Sequence, residues 1–191
     1  MKLATTVTAA IFAWGAAAGS ASAKTAREMA ALGQAKITLQ EAIRIAQREV
    51  PGGWVVDADI AVVRGQGTYT IEVVKDGLSA VRVDLQSGRI LESLARRVPP
   101  KDWSPMAAAE GAPVTILDAI AIAEKSFPGA KAVAADLKIR RGSVRWGVSI
   151  DGNGLRLVDV DLQNGAVLRV SHRASPLGET ASQTVELDTA H

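Results

Sequence analysis

Few residues in this 191-residue chain have the types and spacing that could do chemistry. Two pairs of carboxylates recur at one offset, Asp59 with Asp136 and Asp84 with Asp161. Paired carboxylates can act as general acid and base or hold a metal ion. Asp84 and Asp161, however, each open an Asp-x-x-x-Gly segment, where a short polar side chain accepts backbone N–H bonds and makes a turn. Asp59 and Asp136 sit just before the first strand of each half, with Arg64 and Arg141 as candidate ion-pair partners. Asp151-Gly152-Asn153-Gly154 has the opening of a calcium loop but ends on Leu162 at the twelfth position, where a bidentate Glu is needed, so it reads as a hairpin turn. Gly65-Gln66-Gly67 is followed by neither a third glycine nor Lys-Ser/Thr, so it is no phosphate loop. Ser171, His172 and Asp188 include triad residue types but lie in a polar, unpatterned tail. The catalytic, cofactor and metal positions are therefore all expected to be empty of candidates.

Composition points the same way. There is no cysteine, which excludes a disulfide framework, a thiolate metal site and a cysteine nucleophile. The two histidines, His172 and His191, fall within the last twenty residues. Basic and acidic residues number 22 and 20, too evenly matched for a nucleic-acid footprint. The densest basic patch is Arg140, Arg141 and Arg145 beside Trp146, and together with Trp103 it forms the candidate partner-facing surface.

The elements that position these residues are written twice. Residues 37–93 align with 114–170 without a gap at an offset of 77, and about 21 of the 57 pairs are identical. Pro51-Gly52 meets Pro128-Gly129, Arg64-Gly65 meets Arg141-Gly142, and Val83-Asp84-Leu85-Gln86 meets Val160-Asp161-Leu162-Gln163. Each copy opens on a capped helix: Thr38 with Glu41 forms a capping box, and Thr115 with Asp118 a shorter version. Leu39, Ala42, Ile43, Ala46 and Val50 share one helical face, repeated by Ile116, Ala119, Ile120, Ala123 and Phe127. Pro-Gly ends each helix. Alternating runs then follow, Tyr69-Ile71-Val73 and Val81-Val83-Leu85 in the first copy, Trp146-Val148-Ile150 and Val158-Val160-Leu162 in the second. Asp76-Gly77 is a strong hairpin signal between two of them.

Period-2 runs joined by short turns leave no room for parallel crossovers, so the fold class is α+β: two tandem copies of one helix packed on an antiparallel β-meander. The expected organisation is a signal peptide at 1–23, a lead-in at 24–36, the first copy at 37–93, a Pro-rich linker at 94–113, the second copy at 114–170 and a polar tail at 171–191. A unit of about 57 residues buries a low fraction of its surface, so the copies are expected to pack on one another about a pseudo-twofold axis. Trp103, in the linker, would fill a groove between them or face a partner.

The repeated unit resembles the PepSY family. The resemblance rests on the Thr-x-x-Glu/Asp-Ala-Ile-x-Ile-Ala helix starts at 38–46 and 115–123, the Pro-Gly stops, and the Val-Asp-x-x-x-Gly-x-(Ile/Val)-Leu hairpins at 83–91 and 160–168. Trp146-Gly147 departs from the family, which has a bulkier residue after the aromatic, and the glycine marks a bulge or a close approach. The resemblance implies a non-enzymatic domain of the kind found in peptidase propeptides, one that inhibits or modulates peptidases or serves a sensory role at the envelope. No catalytic residues carry over.

Lys2, the apolar run at 9–18 and Ala21-Ser22-Ala23 have the order of a secretory signal peptide, cleaved between Ala23 and Lys24. The run is short of the ~20 residues that span a bilayer. The expectation is a periplasmic or secreted bacterial protein without a cofactor or nucleic-acid partner. It would bind a protein, such as a secreted or membrane-bound peptidase. The competing expectation is a sensory or structural module that binds a small ligand between the copies.

Overall fold

A computed structural model describes residues 26–96, 106–140, 142–152 and 154–172. The order of elements is α1 (Ala26–Leu32), α2 (Leu39–Glu49), β1 (Trp54–Val63), β2 (Gln66–Val74), β3 (Leu78–Asp84), β4 (Ile90–Arg96), α3 (Ile116–Ser126), β5 (Lys131–Arg140), β6 (Ser143–Asp151), β7 (Arg156–Asp161) and β8 (Val167–His172).

Both long helices start where the sequence places them. Thr38 Oγ1 accepts from the Glu41 N–H while Glu41 returns a carboxylate oxygen to the Thr38 N–H, and Thr115 with Asp118 closes the same box. Each box satisfies first-turn donors that would otherwise face water. Leu39, Ala42, Ile43 and Ala46 are buried on α2, and Ile116, Ala119, Ile120 and Ala123 on α3. Gly52 and Gly129 take left-handed φ values of 78° and 87° just past the ends, a conformation that costs glycine nothing.

The strands form one eight-stranded antiparallel sheet in the order β4-β3-β2-β1-β5-β6-β7-β8. Each repeat is a four-stranded meander, and the repeats join edge to edge through β1 and β5. Ala58 pairs with Ala135, its own counterpart at the repeat offset, which sets a pseudo-twofold axis between them. Equivalent irregularities recur in the two halves, between Val55 and Asp57 and between Ala132 and Ala134. Both helices pack on the same face, where Ala58, Ile60, Tyr69, Ile71, Val81, Val83, Ala135, Trp146, Val148, Val158 and Val160 belong to one apolar core. The Gln40 side-chain amide bridges to Glu124 between α2 and α3 at 2.9 Å. A single shared core explains how units this small are stable together.

One hydrogen bond shows the duplication in chemistry as well as in outline. The Tyr69 hydroxyl donates to the Ile37 carbonyl at 3.3 Å, and the Trp146 indole N–H donates to the Val114 carbonyl at 2.8 Å. Each aromatic residue clamps the residue just ahead of a helix N-cap. The two side chains differ, but both carry a donor at the end of a large apolar body, which is what a buried aromatic needs to stay satisfied.

Three expectations are corrected here. The first strand of each copy starts at Trp54 and Lys131, earlier than Asp59 and Asp136, so both aspartates lie within strands. Trp54-Val55-Val56 is strand-forming sequence, and the pairing between repeats uses the next two residues, Asp57 and Ala58. The lead-in contains α1, built of good helix formers and set with Ala31 against Gly67, where a Cβ on the glycine would meet the Ala31 methyl at 3.0 Å. The linker region is shorter than read: β4 runs on to Arg96, and residues 106–109 form a helical turn whose Met106 carbonyl accepts from the Trp54 indole at 3.1 Å. The signal segment, Trp103 and the tail beyond 172 lie outside the described residues.

Candidate functional site

The repeated carboxylates resolve into structural roles. Asp84 Oδ1 accepts from the backbone N–H groups of Gln86 and Ser87 and from the Ser87 hydroxyl, while Oδ2 accepts from the Gln66 amide. These bonds, the Ser87 hydroxyl foremost, hold the Asp84 carboxyl below the usual carboxylate range. Asp161 accepts from the Gln163 and Asn164 N–H groups in the matching turn. Both are turn-makers. Asp136 is held by Lys138, two residues along β5. The methylene stem of Lys138 lies across Gly147, where a Cβ would come within 2.8 Å of Lys138 Cγ, so this glycine serves a close side-chain approach. The strand register is unbroken there, so it marks no bulge. Arg141, the partner proposed for Asp136, is outside the described residues, as are Asp188 and Asn153. Among the described residues no group of three or more His, Asp or Glu side chains could hold a metal ion.

Among the described residues, two surfaces offer groups that could bind a partner. The first is the pair of outer strands, β4 and β8, which occupy the two ends of the sheet and are each hydrogen-bonded to a strand on one side. Ile90, Leu91 and Leu94 on β4 and Val167, Leu168 and Val170 on β8 are 37–47% exposed. An edge strand presents a row of free N–H and C=O groups, and natural edges usually carry lysine, proline or a bulge to discourage pairing. Each edge here has one irregularity near its start but no lysine or proline within the strand, and it is rich in apolar residues. Beside the start of β4 lies an open groove of about 590 Å³. Ile37, Ile45 and Ile90 supply its apolar lining, and Arg44, Arg48 and Arg89 its positive charge. The corresponding positions for those arginines in the second copy are Ala121, Lys125 and Ala166. A second groove, of about 450 Å³, lies beside the end of α3 and includes Arg156, whose guanidinium stacks over the Phe127 ring at 5.2 Å. Each groove is lined from a single repeat.

The second surface is the sheet face opposite the helices. Alternation along β5 to β8 sends Arg140, Arg145, Asp159 and Arg169 to this side, because their neighbours Trp146, Val158 and Val160 point into the core. The Asp159 side chain is fully buried, and its Oδ2 lies 3.7 Å from Arg140 Nε, 3.9 Å from Arg145 Nη1 and 3.6 Å from Arg169 Nε. Three guanidinium groups from three strands thus surround one carboxylate. In the first copy two of these register positions carry the opposite charges, Arg82 on β3 for Asp159 and Glu92 on β4 for Arg169, and the two pair with each other.

The structure therefore brings together Arg140 and Arg145 from the surface expected at the sequence level and adds Arg169 and Asp159. Arg169 escaped because it is 29 residues from Arg140 in the chain, and only the meander makes them neighbours. Trp146 is removed from that surface. It follows Arg145 directly on β6, so it points the opposite way, and it is 1% exposed in the core. Trp103 and Arg141 fall outside the described residues.

No helix among the described residues is long and apolar enough to cross a membrane. A search of the curated proteins finds no match. Among solved structures, the chain is similar to the crystal structure of a protein assigned as a candidate lipoprotein from Clostridium difficile 630. The two are 22% identical with a TM-score of 0.45, and the match covers 73% of this chain and 95% of that one. The family description "Peptidase propeptide and YPEB domain" (PepSY) matches residues 36–94 and again residues 113–171, together more than half of the sequence. With the doubled cap, stop and meander found above, the chain belongs to the PepSY family and carries two such domains in tandem.

Proposed function

We propose that this is an exported, non-catalytic protein that binds a peptidase or another envelope protein and modulates or inhibits it. The observation that carries the reading is the pair of outer strands, which have exposed apolar side chains and no lysine or proline within them. An extended segment of a partner can add to such an edge through main-chain hydrogen bonds, while alternate side chains set specificity. Family membership supports the same direction, because the matching description is that of a peptidase propeptide domain. The order of Lys2, the apolar run and Ala21-Ser22-Ala23 supports export.

Of the two edges, β4 offers more to a partner, since the arginine-lined groove lies beside its first residues. Immobilised protein should capture a partner from envelope extract, and micromolar protein should inhibit a secreted metallopeptidase. Pro substitution at Ser93 on β4 should weaken both, because proline donates no ladder hydrogen bond and its ring sits poorly in a pairing strand. The matching substitution at Val170 on β8 tests the other edge. Failure to find a partner or any inhibition would remove this reading, and unchanged capture by both edge variants would remove the strand-addition mechanism.

A further inference from the structure

We propose that the helix-free face of the second repeat is an oxyanion-binding site, in which Arg140, Arg145 and Arg169 take up a phosphate- or sulfate-type dianion. It is independent of the peptidase reading and lies on a different surface from the edge strands.

Three observations carry it. The first is charge. Three guanidinium groups face the Asp159 carboxylate, and with Asp161 counted as well the local excess is one positive charge; the adjacent Lys138–Asp136 pair is neutral as a unit. Asp161 lies opposite Arg145 in the strand register but commits an oxygen to the Gln163 and Asn164 N–H groups of its turn.

The second is donor capacity. Three arginines carry fifteen N–H donors between them. Among the described residues they make two hydrogen bonds, from Arg145 Nη2 to the Arg140 carbonyl at 3.3 Å and from Arg169 Nη2 to the Ser171 hydroxyl at 3.0 Å. Among the described residues the buried Arg145 Nε has no acceptor, and neither oxygen of the buried Asp159 has a hydrogen-bond partner. The arginine side chains of Arg140 and Arg169 are 43% and 44% exposed, so a ligand can reach them from solvent. Asp159 acts as the counter-ion that draws the three groups together without consuming their donors.

The third is the comparison inside the molecule. The fold does not need this cluster, because the first repeat builds the same meander with Val63, Thr68 and Glu92 where the second has Arg140, Arg145 and Arg169, and with Arg82 in place of Asp159. A feature found in one of two copies of a fold, and costly in like-charge repulsion, is better explained by what it binds. A tetrahedral oxyanion offers enough acceptor oxygens for three guanidinium forks, more than the two of a single carboxylate.

The dianion can be a free ion or the phosphomonoester headgroup of an anionic envelope lipid, and the test separates the two. The full chain is titrated with inorganic phosphate and with sulfate at constant ionic strength set by chloride, following the arginine Nε–H resonances. A parallel series measures sedimentation with vesicles carrying a phosphomonoester lipid and with neutral phosphocholine vesicles. Saturable shifts of the three arginine signals are expected with phosphate and sulfate. Arg140→Gln with Arg169→Gln should weaken binding by about tenfold or more, as loss of charge-assisted bonds requires. Lys75→Gln with Lys131→Gln, two exposed lysines outside the cluster and outside both grooves, should leave it unchanged. Binding to phosphomonoester vesicles without binding of the free ions assigns the site to a headgroup. Absence of both, equal shifts with chloride alone, or full retention of binding in the Arg140/Arg169 variant would overturn the proposal.

Discussion

Asp159→Asn is the most demanding test of how the open face of the second repeat is held together. The substitution keeps size and shape but removes the one negative charge that three guanidinium groups share at 3.6–3.9 Å. Removing one partner from a fully buried ion pair costs about 3–5 kcal/mol. Arg140 and Arg169 are nearly half exposed, so they turn toward water and recover part of that loss, whereas Arg145, at 15% exposure, has less freedom. The expected cost is therefore about 2–3 kcal/mol, a fall in Tm of roughly 5–10 °C for a chain of this size. Urea and thermal unfolding followed by far-ultraviolet circular dichroism would measure it. Arg140→Ala or Arg169→Ala should each cost less than about 1 kcal/mol, since either leaves two cations on the carboxylate. Salt should narrow the gap between Asp159→Asn and the parent, because the repulsion unmasked among the arginines is screened within about 8–10 Å at 0.1–0.15 M. An Asp159→Asn protein within 0.5 kcal/mol of the parent, or an Arg140→Ala variant as damaged as Asp159→Asn, would refute the view that one carboxylate organises the cluster.

The other predictions concern the elements that build the scaffold. Tyr69 is the chain's single tyrosine, and its hydroxyl is pushed up to about 12 by burial and by the charge of Glu41, so tyrosinate absorbance should rise near pH 12 in the native protein and near pH 10 in urea. Because the folded state holds this proton more tightly, its contribution to stability is whole below pH 10 and falls as the pH climbs toward 12; Tyr69→Phe should abolish that segment of the pH dependence. Asp84→Ala should cost about 1–3 kcal/mol at neutral pH through loss of the turn bonds. Its lowered carboxyl makes that contribution present above the ordinary carboxylate range and lost as the pH falls through the folded value, so parent and variant should converge in acid denaturation. Glu92→Arg alone sets a like charge against Arg82 and should cost about 1 kcal/mol, while Arg82→Glu combined with Glu92→Arg should regain most of it in a double-mutant cycle; additive losses would contradict a direct cross-strand pair.

Much of the fold was legible because its signals are local. Thr38 with Glu41, Thr115 with Asp118, the two Pro-Gly stops and the Asp-x-x-x-Gly turns act over three or four residues, so their chemistry is complete within a short window. The alternation of Tyr69, Ile71 and Val73, and of Trp146, Val148 and Ile150, likewise states which residues share a face. It does not state which face is covered. Reading Arg145 and Trp146 as one surface patch took neighbours in sequence for neighbours in space, although adjacent residues on a strand point to opposite sides. The missed start of β1 has a related cause: the segment at Trp54 to Asp59 is partly paired across the repeat boundary, and nothing within the segment records that partner.

The sequence by itself therefore determined the doubled unit, the helix ends, the turn-forming role of Asp84 and Asp161, and the family to which the repeats belong. Tertiary structure alone decided that the two units join through β1 and β5 into one sheet with one core, leaving β4 and β8 as outer edges. It also decided that Arg140, Arg145 and Arg169 meet around Asp159. Caps and turns are set by backbone groups a few residues apart, whereas strand pairing and charge clustering are set by which distant segments the chain brings side by side.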